Sequence, residues 1–360
     1  MKILIPILGF GRAGGYRVLS QFANEWIKLG HDVDFLCPDS ADEPYFPTSA
    51  GIVWVDGFGN VSRERNDKAN PSGWYHVKSL YRGLNVLGSK YDVVFANHSL
   101  TAWPVSLASC GVARKIYYVQ AYEPEYYTSA KSIKGYLLTT LSALTYYLPL
   151  KRIVNSPIYF CYKNLRAVDF VPPGLDLAVF KPVETSRNIE TVNPIVIGCI
   201  GRNEPEKGII YALNAFELLC KNDSRFVLRV AYGNLPAGWT HKQCEIVVPN
   251  NDAELAEYYR SLDILIAPGT VQHGAPHYPV LEAGACGVAV ATTGYMGATK
   301  ETAWIVKNKD IESIVDSIVN IVSDNERRIK KKVKFLDETR NYSWEHVSEK
   351  MLKLFEKTGQ

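Results

Sequence analysis

No two cysteines in this 360-residue chain stand at CxxC spacing; the seven are scattered at 37, 110, 161, 199, 220, 244 and 286. Neither a zinc ribbon nor a disulfide scaffold fits that pattern, which suits a reduced, cytoplasmic protein. A long hydrophobic run is also missing. The most apolar stretch, residues 136–150, is fifteen residues with Thr and Ser inside it, short for spanning a bilayer. It reads as an internal helix of a first domain, although Lys134 and Lys151 at its flanks permit contact with a membrane surface. The opening MKILIPILGFG lacks the basic start and extended apolar core of a signal peptide. Charge of one sign is scarce: 40 Lys and Arg against 37 Asp and Glu leave +3, too mild to call for nucleic acid. The one DxD, Asp32-Val33-Asp34, falls where a helix ends and a strand begins, so no metal site on a loop and no cofactor are expected.

What is present is alternation. Strand patterns at KILIPIL, VDFLC, IVWVDG, DVVFAN, KIYYVQ and RIVNS are separated by helical stretches, and 15–29 gathers Val18, Leu19, Phe22, Ala23, Trp26 and Ile27 on one face before Gly30. The second half repeats the scheme with IVIGCIG, FVLRVAY, EIVV, DILIAPG and VAVATT. Strands joined by crossover helices make parallel sheets, so the fold class is α/β, in two doubly wound Rossmann-like domains. The divisions expected are 1–180, a polar Pro-bounded linker at 181–194, 195–338, and a last helix over 339–360 packed back on the body. The KKKVK run at 330–334 reads as a solvated helix face or linker.

Two stretches carry chemistry. In IGCIGRNEPEKGI, 197–209, a strand ends at Gly201 and Arg202 and Lys207 flank a loop that feeds a helix near Gly208. Two cations and a helix N-terminus on one spot are equipment for a diphosphate. In APGTVQHGAPHYPVLEAGACGV, 267–288, a Pro-rich loop leads into a helix carrying Glu282, whose carboxylate can accept hydrogen bonds from ribose or sugar hydroxyls. Together they suggest the donor half of an enzyme acting on a sugar nucleotide.

With GGYRVLSQFANEWIKLGHDVDFL, VPPGLDLAVFKP, the LAEYYRSLDILIAPGT run and PVLEAGACGVAVATT, the chain resembles the GT-B fold glycosyltransferases of retaining family 4 over nearly its whole length. VQAYEPEYY at 119–127 and HYPVLEA at 277–283 resemble the rhamnosyltransferase-type members that build bacterial surface polysaccharides such as O-antigen and capsule. The resemblance implies two domains facing across a cleft, a nucleotide-diphosphate sugar as donor, a glycan or lipid-linked glycan as acceptor, retention of configuration, and peripheral membrane contact. It assigns Arg202 and Lys207 to the donor diphosphate, Glu282 to the ribose, and Gly14 and Gly15 to the opposite face, where glycine lets backbone amides approach phosphates. Tyr232, at the end of the next strand, lines the same site or merely turns the chain.

Two departures stand out. Relatives carry a second glutamate eight positions before Glu282, where this chain has Gly274. Its work would fall to the N–H groups of Gly274 and Ala275, to His273 or His277, or to nothing. Where many relatives have histidine, this chain has Gln120, which can bind a hydroxyl but cannot act as a base. The acceptor side is expected at the carboxyl ends of first-domain strands: Asn97, His98, Gln120, Tyr122, Glu123 and Tyr126, with His98 as a candidate base and Glu123 among tyrosines able to stack on a sugar. With no carboxylate to nominate as nucleophile, front-face attack with the departing phosphate assisting is the mechanism implied. Rival readings are a sugar-nucleotide epimerase or an inactive sugar-binding relative, which Gly274 favours, and a nicotinamide enzyme, which GFGRAG at 9–14 and Asp39 evoke.

Overall fold

A computed structural model describes residues 1–11, 14–65, 73–128, 132–183 and 193–357. The chain divides into two compact units, Met1–Gly174 with Trp344–Gln360, and Leu175–Ser343. The division falls ahead of the expected 180 because Leu175 and Phe180 are buried in the second unit's core, with Phe180 against Tyr259.

The first unit runs β1 (Lys2–Pro6), α1 (Gly14–Lys28), β2 (Asp32–Pro38), β3 (Gly51–Val55), β4 (Val61–Ser62), α2 (Gly73–Leu87), β5 (Val93–Ala96), α3 (Ser99–Leu107), β6 (Arg114–Val119), α4 (Pro124–Thr128), α5 (Ile133–Leu144), β7 (Lys151–Val154) and β8 (Asp169–Phe170). Its sheet has the order β4-β3-β2-β1-β5-β6-β7-β8, parallel except for β4. Central strands are covered on both faces and so read as unbroken apolar runs, VVFA in β5 being wholly buried. The second unit runs β9 (Ile195–Ile200), α6 (Ile209–Asn222), β10 (Phe226–Ala231), β11 (Cys244–Val247), α7 (Asp252–Arg260), β12 (Ile264–Ala267), α8 (Tyr278–Ala285), β13 (Ala289–Thr292), β14 (Trp304–Ile305), α9 (Ile311–Ser323) and α10 (Asn325–Thr339). All its strand pairs are parallel and the order is β11-β10-β9-β12-β13-β14. In each sheet the order reverses at one point, between β1 and β5 and between β9 and β12. Outside the carboxyl ends of the strands at such a point a crevice opens for ligand.

The last helix, α11 (Trp344–Glu356), returns to the first unit. Trp344, Val347, Met351 and Phe355 are buried with α1 and the sheet; Phe355 meets Trp26 edge-on at 5.3 Å and Phe95 at 5.5 Å.

Two sequence expectations are corrected here. Residues 330–334 are part of α10, and Lys331 is buried rather than solvated. Its Nζ donates to the carbonyl of Ala303 at 2.6 Å and also to that of Lys300, and lies over the Trp304 ring at 4.9 Å. Carbonyls can satisfy an ammonium at a helix-packing surface, which a charge run in sequence does not reveal. The 136–150 stretch is not an internal helix either. On α5 and the turn after it, Ile133, Tyr136, Leu137, Leu144 and Tyr147 are exposed, Ile133 at 90% and Tyr136 at 66%. Their spacing forms one helical stripe. No helix among the described residues is long and apolar enough to cross a membrane.

Because the Phe355 ring fills a closed aromatic cluster, Phe355→Ala should cost about 3–5 kcal/mol in urea unfolding. A loss below about 1 kcal/mol would mean that α11 is not packed as described.

Candidate functional site

At the switch point of the second unit, β9 ends at Ile200, a short 3-10 turn (Pro205–Lys207) follows, and α6 begins. Gly208 precedes α6 with φ +73° and no side chain caps the helix. A Cβ on Gly208 would stand 2.2 Å from the carbonyl oxygen of Pro268, at the end of β12. Glycine is required twice there, by the left-handed backbone and by the close approach. The neighbouring loop is tied in as well, since Thr270 N–H donates to the Glu206 carbonyl at 2.8 Å. The first turn of α6 therefore lies over the β9/β12 crevice with its N–H groups uncapped.

Arg202, Lys207, Pro268, His277 and Pro279 line one narrow recess at this point. Burial of its amine lowers the pKa of Lys207, and the Arg202 guanidinium lowers it further, with Glu204 and Glu206 opposing. His277 is held at the start of α8, stacked on Tyr295 at 4.4 Å. Burial, then Lys207 and Arg202, push its pKa down to about 3, so the ring is neutral. Its Nδ1 is buried and makes no hydrogen bond. The structure thus brings together Arg202, Lys207 and His277.

The other donor-side candidates fare differently. Glu282 lies on α8 with 2% of its surface exposed, its carboxylate accepting from Tyr259 Oη at 2.8 Å. The N–H groups of Gly274 and Ala275 are engaged, donating to Gly294 O at 2.7 Å and Gln272 O at 3.0 Å. They do not replace the missing carboxylate, a correction to the sequence reading; the loop needs them to close on itself. His273 is likewise turned to the Gly269 carbonyl, at 3.1 Å. Tyr232 has φ +64°, uncommon for a residue with a side chain, and its turn brings Asn234 Nδ2 to the Gly201 carbonyl at 3.3 Å.

On the first unit the acceptor-side candidates are mostly tied up internally. Asn97 Nδ2 donates to the Pro6 carbonyl at 2.8 Å and latches the ends of β5 and β1 together. His98 caps α3: Nδ1 accepts from Leu100 N–H at 3.1 Å, while Nε2 faces Glu123 Oε2 at 3.5 Å. With both ring nitrogens directed inward, His98 is placed as a cap, the structural alternative to a candidate base. Glu123 is buried, accepting from Ser99 N–H at 2.8 Å and Tyr117 Oη at 2.8 Å, so it joins α3 to β6 and does not present itself to a sugar. Burial and then Glu123 raise the Tyr117 pKa, which keeps that hydroxyl a donor. Tyr122 stacks between Tyr162 at 4.1 Å and Tyr146 at 5.6 Å, and its hydroxyl accepts from Asn164. Gln120 Nε2 reaches the Gly15 carbonyl at 3.4 Å, which sets Gln120 beside the start of α1, where space around Gly14 is open. The side chain of Tyr126 lies outside the described residues, as do Arg12 and Ala13 of the glycine loop.

Asp34 of the DxD is held by Arg63 at 2.5 Å and Tyr91 at 2.6 Å, in strand β2 rather than on a loop. Asp39 is buried, with Tyr75 Oη donating to its Oδ1 at 3.1 Å while its Oδ2 makes no hydrogen bond.

Residues 13–176 match the family described as Glycosyltransferase Family 4, and residues 194–324 match Glycosyl transferases group 1. Over 219 residues the chain is 26% identical to D-inositol 3-phosphate glycosyltransferase of Corynebacterium efficiens, an alignment taking in 52% of this chain and 50% of that protein. The chain thus spans about half the length of this curated relative. Among solved structures, sucrose-phosphate synthase of Thermosynechococcus elongatus has a similar fold, TM-score 0.73, at 15% identity over 99% of this chain and 98% of that one. Anabaena HepE, solved with UDP and glucose, gives 0.69 at 13% identity over 99% and 100%. With both halves matched, the chain belongs to the GT-B glycosyltransferases of family 4 and group 1.

The stacked Tyr295 was not singled out in the sequence. Nothing in local spacing marks a tyrosine eighteen residues after His277 as its partner. For Glu123 the structure makes a definite forecast. Glu123→Ala strands Ser99 N–H and Tyr117 Oη, and should lower stability by about 1–3 kcal/mol in chemical denaturation. Wild-type stability with impaired acceptor use would restore the surface role instead.

Proposed function

We propose that the protein is a glycosyltransferase that moves a sugar from a nucleotide-diphosphate donor to a glycan or lipid-linked glycan, with retention of configuration, in surface polysaccharide synthesis. The observation that carries this reading is the convergence of Arg202, Lys207 and the uncapped start of α6 at the switch point of the second sheet. As the glycosidic bond breaks, negative charge grows on the departing diphosphate, and these groups are aligned to receive it without a metal. Glu282, its carboxylate oriented by Tyr259, is the proposed ribose contact. Gln120, Gly14 and Gly15 form the proposed contact set on the first unit.

The α5 stripe supports an acceptor met at a membrane. Lys134 lies on the same helix, and the Arg166 guanidinium lies 4.5 Å over the exposed Tyr147. Apolar side chains with cations beside them suit an anionic lipid surface.

Arg202→Ala and Lys207→Ala should each lower transfer by roughly 100- to 1,000-fold and slow donor hydrolysis by water as well, with wild-type transfer persisting in EDTA. Loss of activity in chelator, restored by manganese or magnesium, would contradict the role given to the two cations. Product analysis with donor alone tests the activity itself, because an epimerase would alter the free sugar nucleotide and a transferase at most hydrolyses it. Anomeric coupling in the transfer product tests retention.

The membrane contact has its own test. Tyr136→Asp with Leu137→Asp should abolish flotation with phosphatidylglycerol vesicles while nucleotide binding is unchanged. Equal flotation of variant and wild type would remove α5 from the interaction.

A further inference from the structure

His277 has no use in the chemistry described so far, yet it lines the recess. Three facts define it. It lines the recess with Arg202 and Lys207. Its Nδ1 is buried and makes no hydrogen bond. Its ring is fixed by stacking on Tyr295, 4.4 Å between centroids and 21° between planes, so the nitrogen cannot readily turn to water. A buried nitrogen without a partner costs free energy, and one that lines a recess beside two cations calls for a ligand to account for it.

The charges around it say which ligand. Arg202 and Lys207 face the ring from the loop after β9, with Glu204 and Glu206 beside Lys207; Tyr295 faces it from the loop after β13, and His273 meets Tyr295 edge-on at 6.1 Å. Two cations beside a third protonatable group keep that group neutral in the free protein. A diphosphate carrying two or more negative charges reverses the field at the same spot. An imidazole that was the wrong place for a proton then becomes a favourable one.

We propose that His277 is a proton-binding contact of the donor diphosphate: Nδ1 takes one proton from solvent as the nucleotide enters, donates it in a hydrogen bond to a phosphate oxygen, and returns it to solvent when the nucleotide leaves. The charge-assisted bond holds the leaving group. This inference rests on the recess being the diphosphate site, and it adds a proton to the binding equilibrium.

The sign follows from linkage. The free ring is neutral with its pKa down near about 3, and the bound ring titrates higher. Protons are therefore taken up on binding between the two values, and nucleotide affinity falls as pH rises through the bound-state value.

Isothermal titration of UDP, or of whichever of GDP, ADP and dTDP binds if UDP does not, in buffers of different ionisation enthalpy reads this directly. At about pH 7 the wild type should take up roughly one-half to one proton more per nucleotide than His277→Gln, a comparison in which the ligand's own ionisation cancels. His277→Gln should bind roughly 10- to 100-fold more weakly. Lys207→Arg, which cannot lose its charge, should keep the uptake. Should His277→Gln not fold, imidazole nitrogen shifts of the wild type, recorded with and without nucleotide, report whether the ring becomes charged. Equal uptake in wild type and His277→Gln, an imidazole that stays neutral, or uptake lost in Lys207→Arg would each overturn the proposal while leaving the donor site in place. If none of the four nucleotides binds, the donor reading falls and this inference with it.

Discussion

The second unit depends on how closely the start of α6 can lie against the end of β12. Gly208 makes that contact possible, because any side chain there would meet the Pro268 carbonyl and force the helix away from the sheet. With the helix seated, its uncapped N–H groups, Arg202 and Lys207 all bear on one recess. Two cations placed so near each other repel, and the depressed pKa of Lys207 records that repulsion together with its burial. An anion relieves it. The site is thus arranged for what will bind there, at some expense to the free protein.

The first unit is organised by its interior. Its switch point is closed by Asn97 on Pro6, and α3 is anchored through Glu123 and the His98 cap. These polar residues gather at the carboxyl ends of strands, as ligand groups do, but here they satisfy backbone N–H groups and a buried tyrosine hydroxyl. What remains open lies near Gly14, Gly15 and Gln120, and on the apolar face of α5. The proposed anion site thus lies in one unit and the exposed apolar stripe on the other.

The parts of this legible from the sequence share a property: their signal is local. GRNEPEKG joins a strand end, two cations and a helix start over residues 200–209, and the buried strands announce themselves as apolar runs. Where contacts come from a distance the reading went astray. Glu123 beside tyrosines looks like a sugar platform until Ser99, 24 residues earlier, is seen donating to it. Gly274 and Ala275 look like spare amides until Gly294 closes the loop. The stretch after Lys134 looks internal because it is apolar, yet nothing in its composition tells whether a neighbour covers it. Lys331 errs the other way, a charge buried by carbonyls that its own segment does not supply.

The central claim is that the second unit holds the donor diphosphate at the start of α6. A crystal structure of the protein soaked with a nucleoside diphosphate tests it most directly. The account predicts phosphate oxygens within hydrogen-bonding distance of Arg202, Lys207 and the first N–H groups of α6. A nucleotide seated instead on the glycine loop of the first unit, with the recess beside His277 unengaged, would contradict it.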